Sequence, residues 1–159
     1  MGVSCAGKTS VGLKLANTLG IYFMDADVFH CTANIEKMKN GTPLNDTDRK
    51  PWLNNLNKEL LQAIANGKSV VLACSALKDS YRKRLLKNIQ DYLIIYLKVD
   101  KNILKKRQNK RKNHFFNPSL LESQIEILEP PKEKFIELDS NASIHSILEN
   151  ILHKLKNSS

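Results

Sequence analysis

Apolar positions along the chain follow two alternating rhythms. Val11, Leu15 and Leu19 recur every four residues with Ala16 beside them, so residues 7–19 predict a helix that Gly20 stops. Ile21-Tyr22-Phe23-Met24 is a continuous apolar run, the form of a buried parallel strand. A short helix is expected at about 34–39, before Gly41 and Pro43. Asp46 is placed to cap the next helix, with Arg49 in its first turns and Pro51 at a bend. Trp52, Leu53, Leu56, Leu60, Leu61 and Ile64 then repeat at helical spacing up to Asn66-Gly67. Residues 69–74 read as a second buried strand, and Ser75 as the cap of a short helix carrying Lys78, Tyr81 and Arg82. Residues 92–97 read as a third strand. Asp100 caps a helix containing Ile103 and Leu104, and Asn117-Pro118-Ser119 opens another that stops at Pro130-Pro131. Residues 135–138 form a fourth strand, and Ile144, Ile147, Leu148, Ile151, Leu152 and Leu155 line a last amphipathic helix.

Unbroken apolar strands alternating with helices mean an α/β fold, a parallel sheet with flanking helices. With 159 residues and no linker or internal repeat, the expectation is one domain over residues 1–159. The three cysteines, Cys5, Cys31 and Cys74, show no paired or metal-ligand spacing, which points to a reducing, cytoplasmic setting. No segment is long and apolar enough to span a membrane, so no membrane partner is expected. The net charge of +9 fits either nucleic acid or an enzyme of anionic nucleotides and anionic substrates.

The chemistry begins at the N-terminus. Gly2-Val3-Ser4-Cys5-Ala6-Gly7-Lys8-Thr9 is a complete G-x-x-x-x-G-K-[ST] string. Its glycines let the backbone wrap phosphate oxygens, and the following N–H groups and helix N-terminus face the same cavity. Gly2, Ser4, Cys5, Ala6, Gly7, Lys8, Thr9 and Ser10 are therefore the expected ATP phosphate-binding residues. Lys8 reaches the β- and γ-phosphates, and the Thr9 hydroxyl holds Mg²⁺. Such a loop hangs from a buried parallel strand, and only Met1 stands before Gly2 in this chain. The expectation is a sheet short of its first, central strand and a loop poorly anchored on one side. A form with five to eight apolar residues before Gly2 is then expected to be the working enzyme.

Asp25 and Asp27 follow the first apolar run, at the edge of the sheet where the loop lies. One carboxylate can hold a metal-bound water, and the other can deprotonate an acceptor hydroxyl. On a fully extended strand, their spacing would put both on one side. Lys78 and Arg82 stand four apart on one expected helix and can face one pocket, suggesting an acceptor with a carboxylate or phosphate. His30 and Arg49 are weaker signals of the same kind. Residues 105–112 hold six cations in eight positions. They read as a basic helix entering a lid over ATP phosphates. A basic nucleic-acid patch, which would make the chain a non-catalytic binder, and a solvated face are the alternatives.

These motifs together resemble the small P-loop gluconokinases, relatives of shikimate kinase and nucleoside monophosphate kinases. Phe23-Met24-Asp25-Ala26-Asp27-Val28-Phe29-His30 is similar to the family's acidic substrate segment. Gly41-Thr42-Pro43-Leu44-Asn45-Asp46, Asp48-Arg49-Lys50-Pro51-Trp52-Leu53 and Cys74-Ser75-Ala76-Leu77-Lys78 continue the likeness. Arg111-Lys112-Asn113-His114-Phe115-Phe116 resembles its lid, around residues 107–117, and Ser123-Gln124 and Leu128-Glu129-Pro130 resemble the segment after it.

The resemblance implies ATP:D-gluconate 6-phosphotransfer with Mg²⁺, on a P-loop kinase domain that is commonly a homodimer. Lys8, Asp27 and Arg111 would be catalytic, with Asp27 the base. Thr9 and, through a water, Asp25 would serve the metal. Arg107 and Arg111 would be lid arginines, one at the nucleotide and one at the transferring phosphoryl group. His30, Arg49, Lys78, Arg82 and His114 would contact gluconate beside Asp27. A shikimate-like acceptor or a shortened non-catalytic form are the alternatives, and no specific nucleic acid is expected. The sequence departs from the family's pattern at Cys5, where a loop glycine is usual, and at Asn113, where a lid glycine is usual.

Overall fold

A computed structural model describes residues 1–110 and 120–157. Strand β1 (Tyr22–Asp25) lies parallel to β2 (Val70–Ala73), with Phe23 opposite Val71. Strand β3 (Ile94–Lys98) lies parallel to β4 (Phe135–Asp139), with Tyr96 opposite Glu137. The four expected strands are present, and they form two parallel pairs instead of one continuous sheet.

Met1 stands between the pairs. Its amine donates to the Ile95 carbonyl, and its own carbonyl accepts from Leu97 N–H at 3.0 Å. Gly2 N–H donates to the Ser75 carbonyl at 3.3 Å. Met1 thus pairs in parallel register with Tyr96, and the turn into the phosphate loop touches both halves. A cavity of about 690 Å³, lined by Val70, Leu72, Leu93, Ile94 and Ile95 among others, runs on from Met1 between β2 and β3. Burial pushes the Met1 amine down to about 5, with the Lys8 charge adding to the effect, so near neutral pH it donates as an uncharged group.

Helix α1 (Lys8–Leu19) packs on the β1–β2 pair through Gly12, where an added Cβ would come within 2.9 Å of Phe23 Cε2. Val11 and Leu15 of α1 share one core cluster with Val3, Leu97, Leu104 and the buried face of α7 (Ile144–Lys156). Helix α2 (Thr32–Lys39) leads to α3 (Asp46–Ala65), which runs on through Pro51 where a bend was expected. Trp52, Leu53, Leu56 and Leu60 of α3 form a second cluster with Tyr81 and Leu85 of α4 (Asp79–Leu85). The cap of α3 is Asn45, one residue before the Asp46 expected from sequence. Asn45 Oδ1 accepts from Asp48 N–H at 2.8 Å and Asp48 Oδ2 from Asn45 N–H at 3.0 Å, a reciprocal box that leaves Asp46 for other partners. Likewise Lys78, not Ser75, precedes α4.

Helix α5 (Lys101–Lys110) carries residues 105–110 of the basic run, and α6 (Leu120–Glu126) follows the residues not described. Most of the lid expected around 107–117, with Asn113, lies outside the described residues. Among the described residues, no helix is long and apolar enough to cross a membrane.

Candidate active site

The phosphate loop bends through three left-handed positions, Gly2 at φ 144°, Cys5 at φ 62° and Gly7 at φ 87°, before α1 starts at Lys8. Cys5 adopts a conformation suited to glycine, at a cost of about 1–2 kcal/mol. The bonds around it hold it there. Ala6 N–H donates to the Val3 carbonyl at 3.3 Å, and Lys8 Nζ folds back onto the same carbonyl at 2.9 Å. Arg107 Nη1 donates to the Cys5 carbonyl at 3.3 Å and to Ser140 Oγ at 2.8 Å, while its Nη2 donates to the Ser140 carbonyl at 2.6 Å. Ser140 Oγ in turn donates to the Ala6 carbonyl at 2.7 Å. Ser4 N–H donates to Gln124 Oε1 at 2.7 Å. The loop is thus clamped from α5, from the turn after β4 and from α6. Lys101 and Lys105 meet Glu122 at 2.7 and 3.4 Å, so part of the basic run is engaged within the fold.

Asp25 ends β1 and Asp27 sits in a 3₁₀ turn, Ala26–Phe29, that the sequence did not announce. The two aspartates therefore do not share one extended strand: the backbone turns after Asp25. Asp25 Oδ1 caps that turn by accepting from Asp27 N–H at 3.0 Å, and Oδ2 accepts from Thr9 Oγ1 at 2.9 Å. The turn keeps Asp27 at the phosphate edge, where it lines one cleft with Ser4, Lys8, His30, Arg49, Ser75, Ser123 and Gln124.

Asp25 and the Thr9 hydroxyl form a pair of hard oxygen donors at the head of α1. Among the described residues no group of three or more His, Cys, Asp or Glu could hold a metal. One carboxylate and a hydroxyl suit Mg²⁺, which retains waters and takes its remaining oxygens from phosphates. The residues present therefore fit that ion.

His30 stacks on Trp52, and its Nδ1 is buried without a hydrogen-bond partner. Desolvation, helped by the Arg49 charge, lowers its pKa to about 4, so the ring is neutral near pH 7. Arg49 is 7% exposed, with Nε donating to the Leu44 carbonyl at 3.3 Å and its guanidinium 5.5 Å from the Tyr81 ring centre.

The other two expected cations do not join it. Lys78 Nζ donates to Asp46 Oδ1 at 2.8 Å, and Tyr81 Oη also donates to Asp46. These bonds hold the Asp46 carboxyl below the usual carboxylate range. Arg82 Nη1 donates to the carbonyls of Ala76, Leu77 and Glu129 at 3.0, 3.0 and 2.8 Å. It ties α4 to the turns on either side and does not line the cleft. Spacing of four placed both residues near one edge, but Lys78 precedes the helix and Arg82 points into its packing. Arg111 and His114 lie outside the described residues.

Three contributors escaped the sequence reading. Trp52 Nε1 donates to the Ala26 carbonyl at 2.8 Å and so holds the Asp27 turn from α3. Ser140 and Gln124 clamp the loop across more than a hundred residues, a distance at which sequence carries no periodic signal.

The comparisons with known proteins accord with this geometry. The family described as AAA domain matches residues 1–131. A probable gluconokinase of Dictyostelium discoideum is 44% identical, covering 98% of this chain and 84% of that protein. This chain belongs to the gluconokinase family. A gluconokinase structure from Sinorhizobium meliloti superposes on the family member described here with a TM-score of 0.83 and 35% identity, covering 100% and 94% of the two chains. An unliganded sugar kinase from Janibacter sp. HTCC2649 gives a TM-score of 0.92 at 37% identity, covering 98% and 91%. The chain is accordingly a kinase with an α/β P-loop fold that uses ATP.

Proposed function

We propose that this chain transfers the γ-phosphoryl group of ATP to the primary hydroxyl of D-gluconate, releasing ADP and 6-phospho-D-gluconate. The observation that carries this is the sharing of one cleft by Lys8 of the phosphate loop and Asp27, His30 and Arg49 of the acceptor side. The family's named relatives support gluconate as the acceptor.

In this reading Lys8 leaves the Val3 carbonyl for the β- and γ-phosphates. The Asp27 carboxylate accepts the proton of the attacking hydroxyl as the O–P bond forms. Arg49 offers a buried cation to the acid's carboxylate, and neutral His30 offers its Nε2 to one of the acid's hydroxyls. Thr9 and Asp25 would hold Mg²⁺, which when bound draws charge from the phosphate oxygens. Arg107 and Arg111 keep the lid roles and His114 the gluconate contact implied by resemblance, and Lys78 is available to the acid only if it leaves Asp46. The homodimer implied by the resemblance is measured by sedimentation of the same preparation.

The test is ADP release by the purified protein across gluconate, other sugar acids, shikimate and nucleoside monophosphates. Gluconate-dependent release with 6-phosphogluconate as product is the expected result. Folded, ATP-binding protein with no gluconate-dependent turnover would overturn the proposal.

A further inference from the structure

Gln124 holds a position that its family likeness does not explain. Its Oε1 lies 2.7 Å from Ser4 N–H, in a buried contact between the phosphate loop and a helix far along the chain. A backbone N–H only donates, so this contact settles which end of the carboxamide is oxygen. The nitrogen end remains as a donor, and among the described residues it has no hydrogen-bond partner. Gln124 and Ser4 both line the cleft, with Asp27 and His30 across it.

Helix α6 is fixed on both sides of that cleft. Leu121 belongs to the core cluster of Val3 and Ala6, beneath the phosphate loop. Leu120 packs with Met38 and Leu44, on the acceptor side. A shift of α6 would therefore be felt by both.

The bond to Ser4 also lies one residue from the loop's left-handed non-glycine position. A buried backbone N–H needs an acceptor, and Ser4 N–H finds its acceptor on a side chain outside the loop. The next residue is Cys5, a non-glycine at φ 62°. Such a conformation persists only where its surroundings over-determine it. Ser4 N–H belongs to the peptide that joins Val3 to Ser4, so the carboxamide fixes the backbone on the N-terminal side of Cys5.

We infer that Gln124 is a positioning residue with two ends. Its carboxamide oxygen fixes the phosphate loop through Ser4 N–H in the shape that receives nucleotide. Its NH₂ group donates to the oxygen-rich acceptor in the same cleft. The first role is independent of the acceptor's identity; the second rests on the sugar-acid reading above.

Two variants separate the roles. Gln124→Glu retains an acceptor oxygen for Ser4 N–H, but replaces the NH₂ donors with a negative carboxylate oxygen. Gln124→Met removes both ends at similar length. Their affinity for ADP, their KM for gluconate and kcat, and their melting temperatures are compared with the parent protein's. Loss of a partner for a buried N–H predicts about tenfold weaker ADP binding in Gln124→Met. Gln124→Glu should bind ADP within about twofold of the parent, while its KM for gluconate rises about tenfold or more.

Equal ADP affinity in all three proteins would overturn the loop role. So would equal weakening in both variants, the sign of a side chain that only fills space. If Gln124→Met does not fold, poor ADP binding by folded Gln124→Glu is the overturning result. An unchanged KM in Gln124→Glu overturns the acceptor role. Should the parent protein turn over no sugar acid, ADP binding still decides the loop role, so the two failures remain distinct.

Discussion

The His30 imidazole lies flat on the Trp52 indole, with ring centroids 4.3 Å apart and planes 15° from parallel. The same indole donates its N–H to the Ala26 carbonyl at 2.8 Å. One side chain of α3 therefore supports both the histidine and the turn that presents Asp27. Stacking removes one face of the imidazole from water, and Arg49 makes a positive charge there still less favourable.

That arrangement predicts a pH-dependent stability. His30 titrates near 4 in the folded chain and near 6.5 when exposed. Below about 6.5 the unfolded chain takes up a proton that the folded chain refuses. Stability is thus full above that value, falls as pH drops towards 4, and loses nothing further from this group below it. Urea midpoints from pH 4.5 to 8 should fall on the acid side. The drop between pH 6.5 and 4.5 should be smaller in His30→Gln than in the parent. An identical drop would show that another group controls the acid limb.

Asp27 and Lys8 line the same cleft but should fail differently when replaced. Asp27→Asn should retain nucleotide affinity and lose about 10²–10⁴-fold in kcat, the usual range for a removed general base. Lys8→Ala should lose turnover and also weaken ATP binding, because the phosphates lose their cation. Steady-state kinetics with ADP titrations separates the two. Parental turnover by Asp27→Asn would move the base to another group.

Gly12 should tolerate no side chain, although it stands inside a helix. Alanine is favoured over glycine there by about 1 kcal/mol on propensity alone. The new Cβ would meet Phe23 Cε2 at 2.9 Å and Val71 Cγ1 at 3.5 Å. Overpacking of that kind costs about 1–3 kcal/mol. Gly12→Ala is therefore expected to be less stable than the parent, by about 1 kcal/mol in urea unfolding. A more stable variant would mean that Phe23 yields freely.

Much of this protein was legible from local signals. The string from Gly2 to Thr9 announced a phosphate loop because its chemistry demands four residue identities at fixed spacing. The four strands followed from short apolar runs, since a parallel strand is buried on both faces, and the main helices from apolar positions recurring every three to four residues. Asp25 and Asp27 were found by their place after a strand, even though the turn joining them was not.

Tertiary packing decided what depends on direction. Lys78 and Arg82 are neighbours in sequence terms, yet one pairs with Asp46 and the other binds three carbonyls. Spacing sets position along a helix but not which groups await the side chain at its end. The division of the strands into two pairs around Met1 is equally tertiary, because strand pairing is a contact between distant segments. The sequence by itself determined the phosphate loop, the α/β alternation and the pair of aspartates after the first strand, each written in residues close along the chain. Only the folded structure decided that Trp52, Gln124, Arg107 and Ser140 hold that loop and turn in place. Those bonds join segments up to 134 residues apart, and no local pattern records them.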